Sequence, residues 1–307
     1  MADAEKIEDI KAVDMMNYPS ECGYGQYLFK YEEFKIMART TFKSIWGGKV
    51  PTEEDLKKTG FMTGHADVPS LIKTMDETGF DYVVISDVKM WSYWYHFKLI
   101  LDYGVNVVNK CVQAGKGRII GGVGYNPFRI DESLREIEKA VKEYGFKYVY
   151  MHPITFGCAP NDRRCYPLYA KCVELGIPVG MQVGHSAEPL PSEVGHPMYV
   201  DEVAIDFPTL KINLSHTGYP WIDEWCSMIF RHPNVYGDIS AYNPKNLNPA
   251  TVTFMSGGRG AEKTMFGSNT YGLGLTKNQF LALPLKDKIK KLILRDVALE
   301  FLGLPNK

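Results

Sequence analysis

Three of the seven histidines, His152, His185 and His216, follow short apolar runs closely enough to stand at one end of a set of strands. Imidazole titrates near neutrality and carries one free lone pair when neutral. Histidines at a shared level can therefore act as general acids and bases or as metal ligands. The same reading puts Asp14, Met16, Tyr18, Asp87, Tyr125, Asn126, Gln182, Asp238 and Asn269 at that level. Asp14 and Asp238 either brace the strand ends or orient a histidine through its second ring nitrogen. One such histidine alone is ordinarily a packed ring; recurrence at one level is what suggests a site. Nucleophiles are poorly represented. No G-x-S-x-G elbow occurs, and none of Cys22, Cys111, Cys158, Cys165, Cys172 and Cys226 has a histidine at a diagnostic spacing, so Cys158 reads as an inert thiol. Arg129, Arg163 and Arg164 are either ordinary solvated charge or a clamp for a substrate carboxylate.

The runs that must position these side chains are 11–16, 81–86, 118–123, 147–151, 178–182, 211–215, 234–239 and 264–267. Most are continuously apolar, as expected of parallel strands covered on both faces. Helical patterns separate them. Asp67 is a plausible N-cap with Pro69 in the first turn and Gly79 at the end; Asp131 is placed as the N-cap of a segment whose apolar face is Leu134, Ile137, Val141 and Tyr144, ending at Gly145. Eight such units in 307 residues predict one α/β domain over 1–307, a (β/α)₈ TIM barrel with its site at the C-terminal strand ends. The rival, a doubly wound open sheet, lacks a G-x-G-x-x-G or P-loop after an early strand. Two connections, 19–64 and 184–197, exceed ordinary βα-loop length. The first carries much of an aromatic cluster and reads equally as a lid over a ring-shaped substrate or as extra core.

Lys and Arg number 35 against 36 Asp and Glu, so no basic surplus exists for neutralising phosphates and no nucleic-acid partner is expected. No run reaches the roughly 18 apolar residues of a membrane helix, and the first residues are acidic and polar, so the reading expects neither signal peptide nor membrane partner. The cysteines form no C-x-x-C pair and read as reduced thiols of a cytoplasmic protein.

Several phrases resemble, in order and spacing, the amidohydrolase-related family that contains aminocarboxymuconate-semialdehyde decarboxylase and the resorcylate-type decarboxylases. They are Tyr166-Pro167-Leu168-Tyr169, Ile177 to Gln182, Phe207 to Ile212, Ser215-His216-Thr217-Gly218, His232 to Ser240, and Met265 to Asn269. The resemblance implies a metal-dependent-hydrolase-like barrel. It implies an enzyme, a hydrolase or a carboxy-lyase, acting on a small cyclic or carboxylated organic molecule, and a homodimer or larger homo-oligomer. The metal ligands of that family are largely replaced. Met16 and Tyr18 stand where its H-x-H pair belongs, Gln182 replaces the strand-five histidine and Asn269 the strand-eight aspartate; His216 alone is kept. Thioether, phenol and carboxamides are weak donors for a divalent ion, so no cofactor is expected. A zinc-type site rebuilt from His152, His185, Asp14 and Asp238 is the alternative. The expected catalytic set is His216 as acid/base with Tyr18 and Asp238; Met16, His152, Gln182, His185, Asn269 and Arg129 would bind substrate. The competing function is a non-catalytic, ligand-binding barrel.

Overall fold

The computed structural model describes residues 7–18, 30–45, 47–52, 54–55, 65, 67–96 and 98–305. Its strands are β1 (Ala12–Asn17), β2 (Phe80–Ser86), β3 (Lys89–Trp91), β4 (Leu99–Asp102), β5 (Ile119–Gly124), β6 (Tyr148–Met151), β7 (Val179–Gln182), β8 (Ile212–Ser215), β9 (Val235–Asp238) and β10 (Thr264–Met265). Eight of these pair in parallel in the order β1-β2-β5-β6-β7-β8-β9-β10, with helices between them, forming a nearly closed barrel. They are the eight expected runs, with ends displaced by at most two residues. Long apolar stretches such as Tyr82 to Ile85 become strands because both faces are covered.

Local signals behave largely as read. Asp67 forms a capping box with Ser70 ahead of the helix Val68–Thr78, and Gly79 closes it in the left-handed region at φ 73°. The helix Ile130–Tyr144 starts two residues earlier than expected: Arg129, not Asp131, is the N-cap, and Asp131 lies in the first turn, where its charge complements the helix dipole. The antiparallel hairpin β3–β4 was not foreseen. Beside it Asp87, expected at the barrel mouth, instead accepts from the backbone N–H groups of Tyr103 (3.0 Å) and Gly104 (2.9 Å). Tyr125 and Asn126 are likewise engaged, donating to the Arg164 carbonyl at 2.5 Å and accepting from the Phe128 N–H at 3.0 Å. Residues 19–29, 46, 53 and 56–64 of the 19–64 stretch, Cys22 among them, lie outside the described residues; the described part includes the helix Glu32–Met37. Among the described residues no helix is long and apolar enough to cross a membrane.

No ladder joins β10 to β1 among the described residues. The barrel closes there by other means: the Met15 N–H donates to the Phe266 carbonyl at 3.0 Å and the Asn269 N–H to the Met16 carbonyl at 2.9 Å. The buried Asp14 carboxylate binds the two sides together, accepting from Ser268 N (2.6 Å), Ser268 Oγ (2.6 Å), Asn17 Nδ2 (2.9 Å) and Met16 N (3.3 Å). Burial raises its pKa to about 6 while these donors pull it down.

Asp14→Ala strands four buried donors and should cost roughly 3 kcal/mol, read as a fall in the urea midpoint. Because the folded-state value exceeds the unfolded one, Asp14's titration contributes most below about pH 4 and fades as pH rises through about 6. The stability difference between Asp14→Asn and wild type should therefore move in the variant's favour between those limits. A difference that does not change with pH contradicts this.

Candidate active site

At the C-terminal ends of the strands lies a cavity of about 170 Å³. Tyr18 follows β1, His152 follows β6, Gln182 ends β7, His216 follows β8, and Asn269 and Tyr271 follow β10; His185 and Glu188 reach it from the 184–197 loop. Tyr150, Tyr242, Met37 and Phe42 supply apolar wall. Of the nine residues expected at the site, Tyr18, His152, Gln182, His185, His216 and Asn269 thus share one space.

A polar column inside the barrel leads to His216. Asn213 Nδ2 donates to the Tyr148 hydroxyl at 3.0 Å and to Asp238 Oδ2 at 2.7 Å. Gly180 on β7 faces this column; a Cβ there would collide with the Tyr148 hydroxyl. Asp238 Oδ1 accepts from both the N–H (2.9 Å) and the hydroxyl of Ser240, and Ser240 Oγ lies 2.7 Å from His216 Nδ1. The serine has one proton, and Asp238 takes it. Ser215 Oγ lies further from Nδ1, at 3.3 Å, so the shorter contact assigns the proton: His216 donates from Nδ1 to Ser240 Oγ, which leaves the Nε2 lone pair free. Burial lowers the His216 pKa and Asp238 opposes the shift, so a neutral ring with a basic Nε2 is the resting state at neutral pH.

His152 has the opposite tautomer. Its Nδ1 accepts a long bond (3.4 Å) from the Thr155 N–H and caps the helix Pro153–Phe156, so its proton sits on Nε2. Burial first, then His216, pulls its pKa down to about 3. It is a neutral donor. Tyr18 is also a donor, because burial and then the charges of Glu188 and Asp238 push its phenol far above the ordinary value. Burial lowers the His185 pKa as well, and its ring stands edge-on to Tyr219 at 5.0 Å. The Gln182 amide makes no hydrogen bond to any described residue. The backbone is strained where these groups are presented: His216, Ala241 and Asn269 have φ of 78°, 67° and 48°.

Three expected residues stand elsewhere. Met16 is buried behind the wall, its sulfur accepting from the Tyr18 hydroxyl at 3.0 Å. Asp238 does not line the cavity and acts through Ser240. Arg129 is exposed and borders a different cleft with Trp91 and Phe128, because the turn after β5 carries it away from the mouth. Arg164 pairs with Asp162 at 2.7 Å, and Cys158 is buried with its Sγ 3.5 Å from that of Cys165; neither meets the cavity. Two contributors went unread. Ser240 was signalled only by the Asp-x-Ser spacing with Asp238, and Glu188 by nothing in the periodicity of its loop.

The family described as amidohydrolase matches residues 102–304. The chain belongs to the amidohydrolase family, and it is an enzyme of hydrolase or decarboxylase type. Three solved structures share its fold. An uncharacterised TIM-barrel protein from Bordetella bronchiseptica is 24% identical, over 96% of this chain and 99% of that one, with a TM-score of 0.74. A 5-carboxyvanillate decarboxylase from Sphingomonas paucimobilis is 12% identical over 96% and 100%, with a TM-score of 0.69. A dihydroxybenzoic acid decarboxylase from Polaromonas sp. JS666, with bound manganese and the inhibitor 2-nitroresorcinol, is 15% identical over 97% and 98%, with a TM-score of 0.65. The search of curated proteins found no match.

The donor set of this chain does not fit a divalent ion. Asp14 and Asp238 are saturated by N–H and O–H donors, His152 accepts through Nδ1 and carries its proton on Nε2, and Gln182 and Asn269 are neutral carboxamides, so of these six only His216 offers a free imidazole lone pair. Among the described residues no three His, Cys, Asp or Glu side chains are grouped as a metal would need.

The hydrogen-bond network makes the tautomers measurable. Nitrogen-15 spectra at neutral pH should show His216 protonated at Nδ1 and His152 at Nε2, and Ser240→Ala should mix the His216 forms. A His216 proton on Nε2 in the wild type contradicts the relay.

Proposed function

We propose that the chain hydrolyses a C–O bond in a small, uncharged cyclic substrate such as a lactone, with His216 as general base and without a metal ion. The observation that carries this reading is the Asp238–Ser240–His216 chain, which leaves a neutral imidazole with a free Nε2 in a small polar cavity. Nε2 takes a proton from water as the oxygen adds to the carbonyl carbon. His152 is a protonated donor for the oxyanion that develops, Tyr18 becomes a second when its hydroxyl turns from the weakly accepting Met16 sulfur, and the amides of Gln182 and Asn269 add donors in the same cavity. Such preorganised donors do what a metal does elsewhere, at lower charge.

Charge favours hydrolysis over decarboxylation. None of the described lining residues is Lys or Arg, and Glu188 is a buried carboxyl in the same wall. A substrate carboxylate brought into that space would lose its hydration with no counter-charge, which costs several kcal/mol. The free thiols of Cys111, Cys158, Cys165, Cys172 and Cys226 accord with a reducing, cytoplasmic setting. The hairpin tip exposes Tyr93, Trp94 and Tyr95, the surface we assign to a homodimer contact.

His216→Asn should keep its fold by circular dichroism and lose about 100- to 10,000-fold in kcat on a lactone such as dihydrocoumarin. Wild-type turnover should survive EDTA and dipicolinate and be greater on that lactone than on 2,6-dihydroxybenzoate. Release of carbon dioxide from the benzoate with no lactone opening would replace this reading with decarboxylation. Activity lost with a removable stoichiometric ion would restore a metal, and ligand binding with no turnover would favour a binding barrel. Light scattering should give a dimer mass that Trp94→Glu reduces to that of a monomer.

A further inference from the structure

The cavity wall also holds a carboxyl, Glu188, with no part in the hydrolysis proposed above. Glu188 is only 4% exposed and lies in the wall that also holds His216 and Tyr18. It sits on a loop, but the loop is pinned beside it. The Gly184 N–H donates to the Gly195 carbonyl and the His185 N–H to the Tyr219 carbonyl, both at 2.8 Å. Gly184 itself has φ 88°, and a Cβ there would fall 2.5 Å from the Tyr219 carbonyl oxygen, so this close approach requires glycine. The Ser186 hydroxyl donates to Glu188 Oε2. No Lys or Arg forms an ion pair with Glu188 among the described residues.

A buried carboxyl in this setting needs either a counter-ion or a proton. A second one stands near: Glu33, 1% exposed, accepts from the Ser92 hydroxyl through Oε1, and its Oε2 has no partner among the described residues. The charge of Glu33 adds to the burial that already raises the Glu188 pKa. His216 is shifted in the opposite sense. A carboxyl whose pKa burial pushes up, with the Ser186 hydroxyl opposing the shift, and an imidazole whose pKa burial pushes down line one space, the pairing that acid–base hydrolysis uses.

We propose that the Glu188 carboxyl is the general acid of this site, protonating the oxygen that leaves while His216 takes a proton from water. The assignment rests on the hydrolytic reading above. The balance closes: water gives H⁺ to His216 Nε2 and its oxygen bonds to the carbonyl carbon; the carbon–oxygen single bond of the ester breaks; and the departing oxygen takes the Glu188 proton. Exchange with solvent returns the His216 proton and refills Glu188, so the sum is ester plus water to acid plus alcohol.

Dependence on the leaving group tests this. Glu188→Gln keeps shape and hydrogen bonding but has no transferable acid proton. Its loss in kcat/KM on δ-valerolactone, which expels an alkoxide, should exceed its loss on p-nitrophenyl acetate, whose phenolate leaves unaided, by about 100-fold or more. His216→Asn should lose activity on both esters. Equal losses of Glu188→Gln on the two esters, or no loss on either, overturn the Glu188 assignment while hydrolysis stands. A His216→Asn that loses nothing, or a wild type that opens neither ester, overturns the hydrolytic reading instead. Independently of turnover, the infrared difference between wild type and Glu188→Gln should contain a protonated-carboxyl band that persists above the ordinary glutamate range; a band that titrates at the ordinary value rules the acid role out.

Discussion

The contact between Asp14 and Ser268 holds the two ends of the sheet together, and the site depends on it. A barrel whose last strand is two residues long cannot close by ladder bonds alone. Ionised Asp14 loses hydration in the core, and its four short or moderate donors compensate. All four come from residues that flank the cavity: Ser268 precedes Asn269, and Met16 and Asn17 precede Tyr18. One carboxylate thus sets the spacing between a phenol donor and an amide donor on opposite sides of the seam. The interaction is structural in kind, yet it positions groups that line the cavity.

How much of this could be read from the residues depends on the kind of constraint. Parallel strands buried on both faces have to be apolar throughout, so runs such as Val83 to Ile85 and Ile212 to Leu214 announce themselves. In a barrel their C-terminal ends share a level, which is why His152, Gln182 and His216 could be grouped without any local spacing between them. The β3–β4 hairpin gave no such signal. Its Lys89 is buried, yet the three carboxylates that pair with it, Asp87, Asp102 and Glu136 at 3.0 to 3.1 Å, come from scattered positions. Direction is also hidden from a one-dimensional reading. Met16 and Asp238 fall at the right level but point away from the cavity, and Arg129 is one turn too far along.

The replaced ligands acquire a physical sense in three dimensions. Gln182 and Asn269 keep polar, donor-bearing shapes on the cavity wall while removing charge, and Met16 has turned its sulfur to the Tyr18 hydroxyl. A decayed metal site would be expected to fill with apolar bulk or to lose its strained backbone. Here left-handed conformations persist at His216, Thr217, Ala241, Asn269 and Thr270, each costing about 1 kcal/mol or more. They persist because neighbours hold them: Asp238 accepts from the His216 N–H at 3.4 Å, and the Asn269 N–H reaches across the seam to Met16 at 2.9 Å. Strain is thus concentrated where side chains enter one cavity.

The serine between Asp238 and His216 shows how the balance is set. Away from the cavity the buried His232 meets Asp201 directly, Nε2 to Oδ1 at 2.7 Å. In the cavity the carboxylate is one hydroxyl further away, and that hydroxyl gives its only proton to Asp238. A carboxylate in direct contact would favour the imidazolium by several-fold more than one relayed through a hydroxyl, since Coulomb energy falls with distance. Interposing Ser240 therefore preserves what orientation requires, a fixed acceptor for Nδ1–H, while weakening the charge that would protonate Nε2. Burial then prevails and the ring stays neutral. The relay separates two functions that a direct aspartate would join, tautomer control and charge stabilisation, and among the described lining residues, none of them Lys or Arg, only the first leaves the Nε2 lone pair of His216 unprotonated.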